Sequence, residues 1–439
     1  MKERPQDFLQ RYGTTASNGF LPDIAPLHRL PDPYYGPWEL LISDLPKLMK
    51  SGQIRCRIES LSVLETTRLK SEPEWQRAYS ILGFLTHAYI WGGEQPCEKV
   101  PPQLTCPFLK VSDHFGLPPV ATYAALNLWN FAARQPKSDM SNPDNLRSLH
   151  TFTGSKDEEW FYLISVSIEA KGSLFIWEML RCIYAVESDD TETVLSCLQT
   201  ITAGAIELGI LLQRMHEHCD PQRFYHEIRP LLAGSKGMAA AGLPRGVFYD
   251  QGNGKGLWRQ YSGGSNAQSS LIQLLDVFLG VDHHSTGEHD SNKAGDGQRA
   301  IKANAFILEM RKYMPRAHRD FLSQIEQLSN VRDYALRPTT LVGIRKAYNK
   351  AVTAVVGVRD IHIRIVSRYI TMPSRSPPAS YIMKRKVVNL ATAATKDQKI
   401  EKDREPEREH LQGTGGTDLI PFLKRTRDET RETFVRLDN

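Results

Sequence analysis

The stretch LVGIRKAYNKAVTAVVGVRDIHIRIVSRYI, residues 341–370, decides the fold class of this 439-residue chain. Its apolar residues return every three or four positions, which predicts one long amphipathic helix. The same spacing predicts further helices at about 158–186, 190–217, 266–280, 299–313 and 315–328. The alternating pattern of strands is scarce, so we expect a mainly α fold.

The chain also divides into regions of different composition. Shorter helical patterns occur at about 38–50, 58–66, 74–91 and 120–133, and they are followed by RQPKSDMSNPDNLR, which has no apolar periodicity and suits a linker. We therefore expect a small N-terminal helical domain at 1–137, a linker at 138–150 and a large all-helical domain at 151–439.

Two segments interrupt the large domain. Residues 234–264 are rich in glycine and predict a long, specially shaped loop. Residues 373–412 combine SRSPP with the charged run KDQKIEKDREPEREH, a composition that buries too little apolar area to become ordered. We expect this second segment to be a mobile loop.

Composition excludes several classes of protein. The formal net charge is only +5, and no basic tract is interleaved with aromatic residues, so we expect no nucleic-acid partner. The first residues lack the apolar core of a signal peptide, and no stretch looks long and apolar enough to span a bilayer. We expect a cytoplasmic protein, without a membrane partner.

The six cysteines are far apart and form no C-x-x-C pair, so reduced and mostly buried thiols are expected. Cys97 and Cys106 flank a Pro-Pro loop and could be neighbours, but a reducing compartment would keep them unbridged.

His362 lies in the middle of the apolar stripe of residues 341–370, which is a costly place for an imidazole. It is either a core histidine that bonds a neighbouring carbonyl or the axial ligand of a haem, whose flat apolar macrocycle needs an apolar wall. Arg359, one turn earlier, could bond a haem propionate or could simply be solvated.

Two aromatic segments could supply a pocket. In RFYHEIRP, Phe224 and Tyr225 precede Arg229, whose guanidinium could hold the carboxylate of an aromatic amino acid in a bidentate pair. In EEWFYLISVSIEA, Ser165 follows Phe161 by four residues and could face the same pocket. Core packing, a surface arginine and serines bonded to helix carbonyls would explain the same residues.

Other motifs give weaker evidence for a functional site. His216 and His218, and the cluster from Asp282 to Asp290, lack the spacing of zinc sites. The glycines at 252, 254 and 256 follow no predicted strand and form neither a dinucleotide fingerprint nor a phosphate loop.

Several segments, taken together and in order, resemble the indoleamine 2,3-dioxygenase family. They are LPPVATYAALNLW (117–129), WFYLISVSIEA (160–170), RFYHEIRPLLAGSKG (223–237), SGGSNAQSS (262–270), LLDVFLGV (274–281), MRKYMPRAHRDFL (310–322), VRDIHIRIVSRYI (358–370) and GTGGTDLIPFLK (413–424). The resemblance covers about residues 100–427.

The resemblance implies a two-domain helical haem protein, with haem b in the large domain, and it implies roles for single residues. His362 matches the proximal ligand of the iron, Arg359 matches a propionate contact, and Asp276 matches an acid behind the proximal ligand. The residues that match the distal pocket and the substrate site are Tyr123, Phe161, Tyr162, Ser165, Phe224, Tyr225 and Arg229. Gly264 and Ser265 match the loop over the haem, and Thr414 matches a mobile glycine-rich lid.

The chain departs from the family pattern at four of these places. Tyr162 and Tyr225 stand where members often have Phe, Asn266 stands where Ala is usual, and Ser235 stands where Trp is usual. A buried hydroxyl or amide without a partner costs about 1–3 kcal/mol, so these departures predict weaker binding of tryptophan.

The activity that the resemblance implies is cleavage of the indole C2–C3 bond of L-tryptophan or a related indoleamine with O₂. The product would be N-formylkynurenine, in the first step of the kynurenine pathway toward NAD. An electron donor would keep the iron ferrous, and a monomer is expected. A haem-based sensor of O₂ or another ligand, or a haem-free interaction module, would share much of this sequence, and only turnover separates the sensor from the enzyme.

Overall fold

The computed structural model describes residues 4–283, 305–380 and 419–437. In these ranges the chain is predominantly helical with a few short strands, which confirms the mainly α class. The helices are α1 (Pro5–Arg11), α2 (Gly36–Ser43), α3 (Leu45–Lys50), α4 (Ile54–Glu59), α5 (Glu72–Trp91), α6 (Pro102–Phe115), α7 (Lys156–Glu187), α8 (Thr191–Gln213), α9 (Met215–His218), α10 (Pro221–Arg223), α11 (Arg229–Leu232), α12 (Ser270–Leu279), α13 (Ala305–Arg311), α14 (Arg316–Leu328), α15 (Val331–Leu336), α16 (Val342–Val366), α17 (Met372–Ser374) and α18 (Leu419–Glu432).

Shorter elements connect these helices. Single 3₁₀ turns lie at Pro33–Tyr35, Thr66–Arg68, Pro143–Asn145, Ala239–Ala241 and Asn266–Gln268, and π-helical turns lie at Ala124–Leu128, Phe224–Ile228 and Ser367–Thr371. The strands are β1 (Lys99–Val100), β2 (Phe131–Ala133), β3 (Leu146–Ser148), β4 (Val247–Gly252) and β5 (Lys255–Arg259). β4 pairs in parallel with β1 and antiparallel with β5, and β2 pairs antiparallel with β3.

Three long helices form the centre of the larger part of the molecule, where α8 packs against both α7 and α16. α7 begins at a capping motif, in which Ser155 Oγ accepts a hydrogen bond from the backbone N–H of Glu158, and Glu158 accepts hydrogen bonds from the N–H groups of Phe152 and Thr153. α8 is capped by Asp190 in the same manner. The predicted helices at 158–186 and 190–217 are therefore confirmed with small changes at their ends.

The expectation that no stretch is long and apolar enough to span a bilayer is wrong. Residues Thr191–His218 form a helical stretch that contains an 18-residue window with a mean hydropathy of 1.6, which is long and apolar enough by those criteria. Within the described residues this stretch packs along α7 and α16, as the core helix of a folded protein does. Length and composition alone are weak grounds for a membrane span, and the core helix meets the same criteria.

Local structure differs from the sequence-based expectation in three places. The helix expected at 58–66 lies earlier, at Ile54–Glu59, and the helix expected at 120–133 is a π-helical turn followed by strand β2. The glycine-rich stretch 234–264 contains the hairpin β4–β5, whose turn has Asn253 and Gly254 at positive φ. Such a turn supplies the twist that a tight hairpin needs, although the flanking alternation is too short to read as strands.

Two large clusters of buried apolar residues form the core. One centres on α5, α6 and the first half of α7, and it includes Tyr369 from beyond α16. The other centres on the second half of α7 with α8, α12, α14 and α16. The first cluster contains residues from both sides of the expected linker, and the division into domains at 137 and 151 stays a prediction.

All six cysteines lie in the described part of the chain and are free, including Cys97 and Cys106. The Sγ atom of Cys97 faces the carbonyl oxygen of Lys99 at 3.3 Å, and that of Cys106 faces the carbonyl oxygen of Gln251 at 3.7 Å. Three of the six thiols, those of Cys182, Cys197 and Cys219, are buried, and the reduced state stays a prediction.

The C-terminal helix α18 is attached to the centre of the molecule by ionic contacts. His283 lies between two buried carboxylates, with its Nδ1 2.6 Å from Glu429 Oε2 on α18 and its Nε2 3.2 Å from Asp276 Oδ2 on α12. Burial alone would lower the pKa of His283, but the carboxylates of Asp276 and Glu429 outweigh it and raise the pKa to about 9. A protonated His283 thus joins α12 to α18.

We expect Gly204→Ala to destabilise the protein by about 1–3 kcal/mol, because a Cβ at this buried position of α8 would overlap the ring of Phe175 on α7. Gly343→Ala is the matched control, since a Cβ there meets no atom within 4 Å. Urea unfolding would measure both free energies, and equal free energies for the two variants would contradict the close approach of α7 and α8.

The His283 contact also predicts how stability changes with pH. Because the folded-state pKa is raised from 6.5 to about 9, its contribution is complete below pH 6.5 and is lost as pH rises toward 9. The loss should be on the order of 2 kcal/mol in the wild type and absent in His283→Gln. Urea unfolding at pH 6 and pH 9 measures it, and parallel losses in both proteins would contradict the assignment.

Candidate functional site

A cavity lies between α7, α8, α12, α16 and α18, and residues of the three π-helical turns and of the loop that precedes α12 also line it. Most of its lining is apolar. Ten of the residues that the sequence singled out line it together: Tyr123, Phe161, Ser165, Phe224, Arg229, Gly264, Ser265, Asp276, Arg359 and His362.

His362 projects from α16 into this cavity, one helical turn after Arg359, with Val358, Ile365 and Val366 beside it. Desolvation of the ring, helped by the positive charge of Arg359, lowers the pKa of His362 to about 4. The ring is therefore neutral at pH 7, and no residue in the described ranges gives it a hydrogen bond. A neutral imidazole keeps the lone pair that a metal ion needs.

Arg359 and Asp276 lie on the same side of the cavity as His362. The Arg359 guanidinium contacts the Asp276 carboxylate through Nη2, while its buried Nε has no hydrogen-bond partner among the described residues. Burial would raise the pKa of Asp276, but the charges of Arg359 and His283 lower it to about 2. Asp276 is thus ionised at pH 7 and fixes Arg359 with one N–H group still available to an acceptor.

Aromatic rings form another wall of the cavity. The rings of Phe161 and Phe224 are 4.8 Å apart between centroids, and Tyr369 meets the edge of Phe224 at 5.8 Å. Phe161 comes from α7, Phe224 and Tyr369 from two of the π-helical turns. Such a wall suits a flat aromatic ligand.

Arg229 reaches the cavity because of the π-helical turn Phe224–Ile228. In this turn the N–H of Arg229 donates to the carbonyl oxygen of Phe224, five residues earlier, which brings both side chains to the same side. Arg229 is only 3% exposed, and burial lowers its pKa from the usual arginine value while Tyr225 opposes that shift. A guanidinium in this setting is well suited to a carboxylate.

A chain of polar groups lies behind the cavity wall. Tyr123 Oη donates to Glu169 Oε1 at 3.0 Å, and Ser269 Oγ donates to the same oxygen at 2.6 Å. The backbone N–H of Tyr123 donates to Gln268 Oε1. The π-helical turn, α7 and the loop before α12 are therefore joined by side chains at the cavity.

The loop before α12 approaches other backbone segments closely. A Cβ on Gly263 would overlap the carbonyl oxygen of Leu232, and a Cβ on Gly264 would overlap the side chain of Leu126. Ser265 caps the following 3₁₀ turn by accepting a hydrogen bond from Ala267 N–H at 3.2 Å. Glycines at 263 and 264 thus allow the loop to form one edge of the cavity.

Two predicted site residues do not line the cavity. Tyr162 is fully buried on another face of α7, where its hydroxyl donates to Glu158 Oε1 at 2.9 Å. Tyr225 packs against Ile370 and lies beside Arg229, whose Cζ is 5.6 Å from its ring centroid. Of the four departures, only Asn266 lines the cavity, because Ser235 is bonded to Arg259 and Tyr261. Thr414 lies outside the described residues.

Other cavity residues were not predicted from the sequence. Asn127, Phe306 and Ile307 line the cavity, as do Leu419, Phe422, Leu423 and Thr426 of α18. The apolar spacing of LIPFLKRT, residues 419–426, is the signal that could have placed α18 against a core. Glu169 and His283 carried no such signal, since a single acidic or basic residue is usually solvated.

Comparison with known proteins agrees with this arrangement. The family model described as indoleamine 2,3-dioxygenase matches residues 8–433. Indoleamine 2,3-dioxygenase of Penicillium citrinum is 40% identical over 428 residues, which cover 96% of this chain and 88% of that protein. The Saccharomyces cerevisiae enzyme is 39% identical over 441 residues, with 98% and 95% covered. A 6-hydroxytryptophan 2,3-dioxygenase of Fusarium equiseti is 36% identical over 434 residues, with 97% and 98% covered.

The matched region includes both walls of the cavity, the Gly263–Gly264 loop and the C-terminal helix. The chain therefore belongs to the indoleamine 2,3-dioxygenase family, whose members are haem-dependent oxidoreductases that act as dioxygenases.

Proposed function

We propose that this chain binds haem b through His362 and uses O₂ to cleave the indole C2–C3 bond of L-tryptophan. The single observation that carries the proposal is one apolar cavity with a neutral histidine on one side and a buried arginine beside an aromatic wall. The product is N-formylkynurenine, the first intermediate of the kynurenine pathway toward NAD. Both oxygen atoms enter the product, so the reaction neither releases nor consumes a proton overall.

The residues present fit a haem. His362 offers a neutral nitrogen to iron, the surrounding valines and isoleucines suit an apolar macrocycle, and the unpartnered Nε–H of Arg359 suits a propionate. The contact with Asp276 holds Arg359 in place for that role. Gly264 and Ser265 line the same cavity. When bound, haem supplies the iron chemistry that makes O₂ reactive toward the indole ring.

The protein's own contribution is to bind and orient the substrate. Arg229 binds the carboxylate of the amino acid, while Phe161 and Phe224 pack on the indole ring. Tyr123 and Ser165 complete this wall. The role of Thr414 as a lid residue stays a prediction, and so do the roles of Tyr162 and Tyr225 in the substrate pocket.

A hydroxylated tryptophan is the second candidate substrate. One relative is named a 6-hydroxytryptophan 2,3-dioxygenase, and the amide-bearing residues Asn127 and Asn266 line the cavity here. A polar wall suits a ring hydroxyl better than an unsubstituted ring. Parallel assays with L-tryptophan and 6-hydroxy-L-tryptophan would rank the two by kcat/KM.

A sensor of O₂ that binds haem without turnover stays the alternative to the enzyme. The proposal also includes a cytoplasmic monomer that depends on an external electron donor and binds neither nucleic acid nor membrane. Formation of N-formylkynurenine by the reduced, haem-loaded protein in air distinguishes the enzyme from the sensor.

We expect His362→Ala to abolish the Soret band of the haem-supplied protein, because no other wall residue offers the iron a comparable neutral nitrogen. Added imidazole should restore part of that band, which separates loss of the ligand from loss of the fold. His114→Ala is the control, since His114 lies on α6 and stacks on Trp75 away from the cavity. An unchanged spectrum in His362→Ala would overturn the haem assignment.

We expect Arg229→Ala to raise the KM for L-tryptophan about tenfold to a hundredfold, the effect of losing a charge-assisted bond of roughly 1.5–3 kcal/mol. Tryptamine, which lacks the carboxylate, should be affected far less, so the preference for L-tryptophan over tryptamine should collapse. Arg223→Ala, on the same segment but outside the cavity lining, should keep that preference. Equal losses on both substrates in Arg229→Ala would argue against carboxylate binding.

A further inference from the structure

A second, polar cleft lies between α2, α5 and the segment that joins β3 to α7, and the proposed function does not use it. Its volume is about 450 Å³, which is enough for a small organic molecule. Its lining includes His28, Arg29, Glu39, Arg77, His150 and Thr151. Within the described part of the chain, no residue that lines this polar cleft also lines the cavity that contains His362.

A buried ion pair forms one side of the polar cleft. Arg77 on α5 is 4% exposed and donates to both carboxylate oxygens of Glu39 on α2, through Nε at 2.7 Å and through Nη2 at 2.5 Å. Glu39 Oε1 also accepts from the backbone N–H of Leu30 at 2.8 Å. Glu39 is the only acidic residue among the described residues that line the cleft, and its charge is neutralised by Arg77. The cleft therefore offers a cation no unpaired carboxylate.

Arg77 also determines which nitrogen of His150 carries the hydrogen. Arg77 Nη1 lies 3.1 Å from His150 Nε2, and because a guanidinium N–H can only donate, Nε2 accepts. Burial and the charges of Arg77 and Arg147 lower the pKa of His150 well below 6.5, so the ring is neutral at pH 7. The single hydrogen of the neutral ring is therefore on Nδ1, where it makes that atom a donor.

The Nδ1–H group of His150 has no hydrogen-bond partner among the described residues, although the residue is nine-tenths buried and lines the polar cleft. The backbone of His150 is fixed on both sides, since its N–H donates to Asn130 Oδ1 at 2.9 Å and its carbonyl oxygen accepts from Asn130 Nδ2 at 3.0 Å. A ligand oxygen in the cleft would thus meet a donor that is already held in place, which lowers the entropic cost of binding.

Three neighbouring residues add further donors to the polar cleft. Thr151 Oγ1 accepts from the N–H of Gly154 at 3.2 Å, which leaves its own hydrogen available. His28 Nδ1 accepts from Arg147 Nη2 at 3.2 Å, so a hydrogen of His28 is on Nε2. Arg29 is exposed and has no ion-pair partner among the described residues. Several donors beside an unpaired guanidinium suit an anion with oxygen acceptors.

We propose that the polar cleft binds a small organic oxyanion, whose oxygens accept hydrogen bonds from His150 Nδ1–H, Thr151 Oγ1–H and the Arg29 guanidinium. The side chains of Leu40 and Leu149 also line the cleft and supply apolar surface for the organic part of the ligand. A carboxylate and a phosphate share the chemistry that these donors recognise, and probes of each kind separate the two. The site goes beyond the proposed function and needs no contact with the iron.

The test is isothermal titration calorimetry of the full-length, haem-supplied protein with benzoate and with phenyl phosphate at constant ionic strength. At least one probe should bind with a Kd of roughly 10 μM to 1 mM, and uncharged benzamide should not bind in the cleft. Arg29→Ala and Thr151→Val should each weaken the binding about threefold to tenfold, the effect of losing one hydrogen bond. Arg57→Ala is the matched control, because Arg57 is an exposed arginine on α4 that does not line the cleft.

Arg229→Ala distinguishes the polar cleft from the carboxylate site in the cavity. Arg229 lines the cavity and not the cleft, so binding that depends on Arg29 should be unchanged in this variant. Loss of binding in Arg229→Ala, with unchanged affinity in Arg29→Ala and Thr151→Val, would place the anion in the cavity and overturn the proposal. It would also be overturned if neither probe bound, or if benzamide bound as tightly as benzoate and with the same dependence on Arg29.

Discussion

The walls of the cavity depend on the ion pairs that the Asp276 carboxylate forms. It lies on α12, contacts Arg359 on α16 and, through His283, connects to Glu429 on α18. An isolated buried charge would be very costly, so the carboxylate needs both cations. Because those cations come from different elements, satisfying one buried charge fixes the relative positions of α12, α16 and α18, and hence the setting of His362.

The three π-helical turns explain how the remaining wall is built. Each turn lengthens the local hydrogen-bond step to five residues, as in the bonds from Trp129 to Ala124 and from Arg229 to Phe224. A side chain in such a turn faces a direction that the ordinary helical period does not predict. Periodicity therefore predicts α7, α8 and α16 well, but it places a helix at 120–133, where the structure has one of these turns.

The family resemblance shows which residues of the chain match the site, whereas the structure shows which of their side chains face the cavity. The matched residues His362, Arg359, Phe224 and Ser165 line the cavity, but Tyr162 faces Glu158 and Tyr225 faces Ile370. A tyrosine at a position usually held by phenylalanine brings a hydroxyl that must find a partner when buried. For Tyr162 the partner is the Glu158 carboxylate at the start of α7, and sequence spacing alone could not show on which side that partner lies.

Asp276 and Glu169 are two buried carboxylates at the margins of one cavity. Their surroundings differ, and their charge states therefore respond differently to pH. Asp276 has two cations, which hold its pKa at about 2, so it is ionised at any physiological pH and serves as a fixed anchor. Glu169 accepts hydrogen bonds only from hydroxyl groups. These hydrogen bonds do not compensate for the loss of hydration, and burial raises the pKa of Glu169 to about 7. Environments that push the pKa values of neighbouring acids apart are how a protein gives one residue type two roles. The cavity therefore has one carboxylate that cannot change state and one that can, on walls formed by the same set of helices.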